Sequence, residues 1–119
     1  MARLIKERRV VTESAPSPEL PILRLEPGDD PASVADQLDR VARVEVNFPK
    51  FGDGRGYSLA VLLRRRYGYK GELRAVGQIT RDHLYYMDRV GFDAFELREG
   101  EDAAEALASF KDFSVSYQK

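Results

Sequence analysis

The sequence contains no cysteine and a single histidine. Without thiols, the 119-residue chain cannot supply a thiolate nucleophile, a redox dithiol, cysteine ligands to an iron–sulfur cluster or a cysteine-built zinc site. One histidine also excludes a two-histidine metal site within the chain, and we expect no metal centre. If the protein handles electrons, it must borrow a cofactor such as flavin or nicotinamide, or act through a partner.

The sequence also lacks an excess of charge of one sign and long hydrophobic runs. Nineteen lysines and arginines nearly balance 20 aspartates and glutamates, which leaves a net charge of -1. Such a chain exerts no long-range attraction on phosphate backbones or anionic membranes, so neither nucleic acid nor a membrane is an expected partner. No apolar stretch approaches the roughly 20 residues of a membrane span. The basic N-terminus continues into no apolar core of a secretion signal. We expect a cytoplasmic protein.

The length suits one domain, and 43% of the residues are apolar, which is enough for a core that needs no disulfide or metal to hold it together. Two short apolar pairs in residues 1–13 predict an N-terminal β ribbon. Three prolines within residues 16–21 predict that 14–21 form an extended linker. The remaining residues, 22–119, are predicted to form a single α/β domain.

Within that domain, apolar residues alternate between the spacing typical of β-strands and the spacing typical of helices. Apolar runs at residues 22–25, 44–48, 73–77 and 92–97 predict four strands, and each is followed by a segment with apolar residues at helical spacing. Asp30 before Pro31 and Thr80 before its segment are typical N-terminal helix caps. Consecutive βα units predict a four-stranded, mainly parallel sheet, either a flavodoxin-like layer or half of a (β/α) barrel. Its exposed edges favour self-association.

Ligands of parallel α/β sheets bind beyond the carboxyl ends of the strands. The most unusual segment there is 48–58, with three alternating glycines just ahead of a helix. The free N–H groups of that helix start, together with Lys50 and Arg55, suit an anion such as phosphate, sulfate or sulfite. The glycines do not complete a dinucleotide or Walker motif. The alternative is a tight turn in which Asp53 and Arg55 pair with each other.

The segment after the third strand, 77–83, is the second candidate. Thr80 is more readily explained as a helix cap than as a catalytic hydroxyl, and a carboxylate at Asp82 is favoured by the helix dipole without any function. A lone histidine at a helix start, such as His83, is more often a polar surface residue than a base. No catalytic residue is assigned. The predicted ligand- or partner-binding residues are Lys50, Asp53, Gly54, Arg55, Gly56, Tyr57, Ser58, Gln78, Arg81 and Asp82.

Two other clusters have ordinary explanations. The run Arg64-Arg65-Arg66 lies on a helix and fans around its circumference, which favours a solvated face. A second group is aromatic and could line a pocket for a flat cofactor, although core packing explains it better. Its members are Tyr67, Tyr69, Tyr85, Tyr86, Phe92 and Phe95.

Four segments carry a family resemblance: residues 51–58 (FGDGRGYS), 71–77 (GELRAVG), 81–82 (RD) and 91–95 (GFDAF). Through them the chain resembles a bacterial family, the DUF934 family. Members are labelled oxidoreductases associated with sulfite reduction, so the resemblance implies a role in assimilatory sulfur metabolism. It carries over no catalytic residue. This chain has Gln78 where the family usually has an acidic residue, and His83 where it usually has an amide.

The resemblance therefore implies an accessory protein of assimilatory sulfite reduction that docks on a reductase or its electron donor. The glycine-rich segment, from its own residues, is expected to supply the contact or to hold a small anion. Sulfite reductase and related sulfur-assimilation enzymes are the expected partners. The first alternative is an oxidoreductase that binds a flavin or nucleotide through the same segment. The second is a structural homo-oligomer without ligand chemistry.

Overall fold

The structure is a computed structural model and describes residues 3–11, 19–50 and 54–109. The described residues form one six-stranded sheet. Its strands are β1 (Leu4–Lys6), β2 (Arg9–Val11), β3 (Ile22–Leu25), β4 (Arg43–Phe48), β5 (Glu72–Gly77) and β6 (Ala94–Glu96). The division into a ribbon, a linker and one domain stays a prediction, since residues 12–18 lie outside the described part.

The sheet order is β2-β1-β6-β5-β4-β3. Strands β3 to β6 run parallel, as the alternation of strands and helices predicts. The sheet has six strands and not the predicted four, because the N-terminal ribbon joins the same sheet. Its first strand pairs antiparallel with β6, with Ile5 opposite Phe95, and β2 pairs antiparallel with β1. The ribbon therefore covers one edge that consecutive βα units would leave open.

The four parallel strands lie side by side in chain order. A flavodoxin-like sheet reverses its strand order at one point, and the described strands show no such reversal. Right-handed crossovers between neighbours in chain order place the connecting segments on one face. The same order occurs in consecutive units of a (β/α) barrel, and the half-barrel alternative stays a prediction.

The first connection is a 3-10 helix, Pro31–Arg40, where periodicity predicts an α-helix. Its start is as predicted, because the Asp30 carboxylate accepts a hydrogen bond from the Ala32 N–H at 3.0 Å. With three residues per turn, positions four apart point about 120° from each other. The predicted apolar stripe is accordingly divided: Leu38 is buried, whereas Val34 is only half-buried.

The remaining connections are short helices. Strand β4 leads into α1 (Gly54–Val61), which continues as a π-helical turn, Leu62–Arg66. A 3-10 turn, Arg81–His83, precedes α2 (Leu84–Val90), and residues 103–109 are helical after β6. Within the described ranges, no helix is long and apolar enough to cross a membrane.

The two faces of the sheet differ. One face carries the apolar side chains of every strand but the outermost ribbon strand and packs against the helices in a single core cluster, for example through Val46, Leu73 and Phe95. The opposite face carries alternating charged residues, among which Leu4, Val76 and Ala94 are buried without belonging to that cluster. The second face is therefore built mainly from polar contacts.

Candidate functional site

The carboxyl ends of the parallel strands form one continuous rim. The Gln78 N–H donates to the Phe48 carbonyl at 2.7 Å, and the Arg98 N–H donates to the Ile79 carbonyl at 2.9 Å. The segment after β5 is thereby fastened to the end of β4 on one side and to the segment after β6 on the other. The segments after β4, β5 and β6 therefore begin at one edge of the sheet, as the parallel order of these strands predicts.

At Gly77 the backbone of β5 lies directly against the end of β4. Its φ is +102°, and a Cβ built there would lie 2.6 Å from both Asn47 Oδ1 and the Phe48 carbonyl oxygen. A left-handed backbone and the absence of a side chain are both required at this position. Gly77 thus serves the join between β4 and β5.

The first rim cleft, which we call the glycine-loop cleft, measures about 560 Å³. Gly54 at the start of α1, Arg55 and Ser58 line it, facing the turn after β3. The Arg55 guanidinium reaches that turn, with Nη1 3.8 Å from where a Cβ of Gly28 would stand. The lining residues are Pro27, Asp29, Pro31, Gly54, Arg55, Ser58, Leu59 and Leu62.

Asp29 is the single carboxylate among the described residues that line the glycine-loop cleft. Its Oδ2 accepts a hydrogen bond from the Glu26 N–H at 2.7 Å, which closes the turn after β3. The charges of Asp29 and Arg55 cancel at the cleft. Within this lining, a bound anion would therefore rely on the N–H groups of the first turn of α1 and on the Ser58 hydroxyl, and not on net charge.

Two predicted site residues pack beneath the rim. A Cβ on Gly56 would lie 2.4 Å from Phe48 Cε2, so this glycine lets α1 rest directly on β4. The Tyr57 ring stands 5.5 Å from the Phe48 ring, and burial raises the pKa of its hydroxyl. Both residues position the helix, and their role as ligand contacts stays a prediction.

The other predicted residues are dispersed along the rim. Lys50 and Gln78 are exposed and line neither of the rim clefts described here. Asp53 lies outside the described residues, so its predicted pairing with Arg55 stays a prediction. Arg81 and Asp82 line the second cleft instead of the first.

That second cleft, which we call the acidic cleft, also measures about 560 Å³ and lies at the ends of β5 and β6. Among the described residues that line it are two arginines, Arg81 and Arg98, and four carboxylates, and with a neutral histidine these residues carry a formal charge of −2. Arg98 Nε lies 3.8 Å from Glu101 Oε2. The lining residues are Thr80, Arg81, Asp82, His83, Arg98, Gly100, Glu101, Asp102, Glu105 and Ala106. This cleft favours cationic groups.

His83 takes part in a helix cap. The Thr80 N–H donates to His83 Nδ1 at 3.3 Å, while the Thr80 hydroxyl lies 3.2 Å from the same nitrogen. Because Nδ1 accepts the N–H bond, the neutral ring carries its proton on Nε2. The imidazole thereby replaces the glutamate or glutamine side chain that usually reaches back to a capping residue. Thr80 at the start of this turn agrees with its predicted role.

The second face of the sheet carries a network of ion pairs that the sequence-based predictions do not include. Arg24 and Arg43 both bind the Glu45 carboxylate at 2.8 Å. On the next strand, Arg74 Nη2 and Lys6 Nζ bind Glu72 at 2.7 and 2.8 Å. The two groups meet where Arg43 Nε approaches Glu72 Oε2 at 4.0 Å, and Arg74 continues the network to Glu96 at 3.6 Å.

A signal for this network exists in the sequence. Strand β4 carries Arg43 and Glu45 two positions apart, and β5 carries Glu72 and Arg74 in the reverse order of sign. In the parallel register Arg43 faces Glu72 and Glu45 faces Arg74, so each charge meets its opposite across the strands. Complementary pairs at alternate positions of successive strands identify a polar sheet face.

The side chains of the three consecutive arginines point in different directions around the helix, as predicted. Arg64 Nε donates to the Gly91 carbonyl at 2.9 Å, and its Nη1 donates to the Tyr69 carbonyl at the same distance. Arg66 instead lies over the Tyr67 ring, and Arg65 is exposed. Arg64 thereby fastens the end of the π-helical turn to the end of α2.

Most of these aromatic residues pack in or against the core. Tyr69, Phe92 and Phe95 are buried in the core cluster, as core packing predicts. Tyr86 is the exception, with 65% of its surface exposed. Among the residues that the structure describes, no group of three or more histidines and carboxylates is placed to hold a metal ion.

The fold and rim define a class: an α/β protein with a mostly parallel six-stranded sheet and two clefts beyond its strand ends. The chain belongs to the DUF934 family, whose model, described as "Bacterial protein of unknown function", matches residues 22–119. No curated protein and no solved structure matches the chain.

Proposed function

We propose that the protein is an accessory protein of assimilatory sulfite reduction and that its rim docks on a sulfite reductase or on the electron donor of that enzyme. The acidic cleft is the observation on which the proposal rests, since four carboxylates against two arginines suit a basic partner surface. An enzyme that reduces a dianion gathers cations around its substrate entrance. The resemblance to proteins associated with sulfite reduction supports the same partner.

The glycine-loop cleft is the proposed site of a small anion such as sulfite, sulfate or phosphate. Arg55, Ser58 and the first N–H groups of α1 line one side of it. Each can donate to an anionic oxygen, and the helix dipole adds partial positive charge. Holding the anion beside the docking surface would place it near the partner.

The competing enzyme hypothesis uses the same two clefts. Each is about 560 Å³, within the range of roughly 300–1,000 Å³ found for small-molecule sites. Against a catalytic role, the hydroxyl–imidazole contact of the rim joins Thr80 to His83 within one helical turn, where Nδ1 also accepts a backbone N–H. That geometry serves a cap and leaves no oriented nucleophile–base pair there.

A binding measurement separates the hypotheses. Purified full-length protein is titrated against sulfite reductase holoenzyme, with Glu105→Lys as the test variant and Asp39→Lys as a control on the 3-10 helix. Glu105 lines the acidic cleft, whereas Asp39 is exposed elsewhere. We expect binding that Glu105→Lys weakens about tenfold or more and Asp39→Lys leaves unchanged.

Other outcomes identify the alternatives. Absence of binding to both the reductase and its electron donor would remove the accessory role. A yellow protein with flavin absorbance, whose flavin is lost on Arg55→Ala, would establish the enzyme hypothesis in its place. A sole association with further copies of the chain would favour the structural homo-oligomer.

A further inference from the structure

Strand β3 has an open side. It is the last strand in the order of the sheet, and among the described strands it pairs only with β4. Large apolar side chains are exposed here, since Leu20 just before the strand is 50% exposed and Ile22 is 39% exposed. An unpaired edge with apolar side chains is a template for another strand. We call residues 20–25 the β3 edge.

The backbone of the β3 edge presents hydrogen-bonding groups at regular intervals. The Pro21 carbonyl accepts a hydrogen bond from the Ala42 N–H at 2.8 Å and thus faces β4. Successive residues of a strand direct their N–H and C=O groups to alternate sides. Leu23 therefore also faces β4, whereas Ile22 and Arg24 direct both groups away from it. The open side offers a donor and an acceptor at each of these two residues.

The side chains of the β3 edge indicate which kind of strand it takes. Glu45 on β4 already binds the Arg24 guanidinium at 2.8 Å, so a partner strand need not bring a carboxylate to this position. An apolar residue opposite Arg24 would instead cover its aliphatic stem. On the other face, Leu23 is half-buried and packs against the core cluster, which an apolar residue opposite it would continue. A second copy of β3 meets both requirements.

We propose that the chain forms a twofold dimer in which the β3 edges of two copies pair antiparallel, with the axis at Leu23. Ile22 of each copy then stands opposite Arg24 of the second copy, and the outward N–H of each donates to the outward C=O of the other. Leu23 meets Leu23 of the second copy, which joins the two cores. Such an interface is self-complementary and closes with two copies.

The register follows from charge and from the bounds of the strand. An axis at Arg24 would bring two guanidinium groups face to face, which is unfavourable. An axis at Ile22 would pair Arg24 with Leu20, which lies in a bend before β3. With the axis at Leu23, the paired residues 22–24 all lie within Ile22–Leu25. The inference rests on β3 alone and does not depend on the proposed function.

Sedimentation equilibrium of the full chain tests the dimer with three variants. Ile22→Lys would set a cation opposite Arg24 of the second copy, whereas Ile22→Glu would set a carboxylate there. Val10→Lys is the matched control, because Val10 is also 39% exposed but lies on β2 at the other edge of the sheet. We expect a wild-type dimer whose Kd rises about tenfold or more on Ile22→Lys, rises much less on Ile22→Glu, and stays unchanged on Val10→Lys.

An introduced cysteine provides a second measurement, because the chain has none of its own. Opposite residues that share no hydrogen bonds in an antiparallel pair have Cα atoms about 4.5 Å apart, within the range of a disulfide. Leu23→Cys should therefore form a disulfide-linked dimer under mild oxidation, and Val10→Cys should not.

The proposal is overturned by a chain that stays monomeric at the highest concentration measured, or by a dimer that Ile22→Lys leaves intact. Equal weakening by Ile22→Lys and Ile22→Glu, or the absence of a Leu23→Cys dimer, would also overturn it. Neither measurement uses sulfite reductase, so a failure of this proposal is distinguishable from a failure of the proposed docking.

Discussion

Arg74 and Glu72, two residues apart on β5, form a close ion pair in which Nε and Nη2 both lie 2.7 Å from Glu72 Oε2. Arg74 is only 1% exposed, although it stands on the sheet face opposite the core cluster. A buried guanidinium costs several kcal/mol of desolvation unless it is paired. The pair therefore belongs to the structural framework of the second face.

Replacement of this arginine should be severely destabilising. Arg74→Met would leave Glu72 and Glu96 without their shared cation, and we expect a loss of roughly 3 kcal/mol or more in the free energy of unfolding. Arg24→Met is the matched control, because the Arg24 side chain is 55% exposed and its pair should contribute under about 1 kcal/mol. Urea denaturation measures both. Equal losses for the two variants would contradict the assigned role of burial.

Glu45 gives the network a dependence on pH. Burial alone would raise the pKa of Glu45, but hydrogen bonds and charges from Arg24 and Arg43 outweigh it and hold the pKa below its ordinary 4.5. The unfolded state then binds more protons than the folded state. The contribution of Glu45 is full above about pH 4.5 and is lost as the pH falls through the lower folded value.

Glu45→Gln isolates this contribution. The stability gap between wild type and Glu45→Gln should be largest near neutral pH and should shrink as the pH falls below about 4.5. Urea denaturation at a series of pH values measures the gap. A gap that stays constant or widens in acid would show that the pKa of Glu45 is not lowered.

Two rim glycines should respond differently to alanine. Gly77→Ala combines a left-handed backbone with contacts at 2.6 Å to β4, so we expect a loss of roughly 1–3 kcal/mol or more. Gly54→Ala meets nothing within 4 Å and has no positive φ, so it should be neutral or stabilising by up to about 1 kcal/mol. Thermal unfolding compares them. If Gly54→Ala also abolishes sulfite binding at unchanged stability, close approach of the anion to this backbone is established.

The cap at Thr80 predicts that an amide can replace the imidazole. His83→Gln keeps an acceptor for the Thr80 N–H and should preserve stability, whereas His83→Ala should lose about 1 kcal/mol. Amide exchange at Thr80 together with the melting temperature provides the test. A base in catalysis would give the opposite pattern, with both variants inactive and equally stable.

The parallel sheet and its rim could be predicted from the sequence because they depend on local signals. Alternating runs such as 44–48, and the Asp30 and Thr80 caps, are encoded within a few residues, and all lie where predicted. Pairing of the ribbon with β6 joins residues about ninety positions apart. No local pattern encodes that contact, so the count of four strands was too low.

The candidate site could be predicted only in outline. The positions of Arg55 and Arg81 in the sequence predict that both lie on one rim. They do not predict that the two arginines line separate clefts, because the clefts depend on which turns face each other. Gly56 looked like a ligand-binding glycine, yet its lack of a side chain accommodates the Phe48 ring. The network around Glu72 was overlooked because each charge, taken singly, is typical of a solvated strand.

Hydrogen–deuterium exchange of the full chain, alone and with sulfite reductase holoenzyme, tests the rim as the docking surface most directly. The account predicts slowed exchange in residues 78–83 and 98–105, around the acidic cleft, with little change at the opposite end of the sheet in residues 64–71. Absence of protection, or protection confined to 64–71, would contradict it.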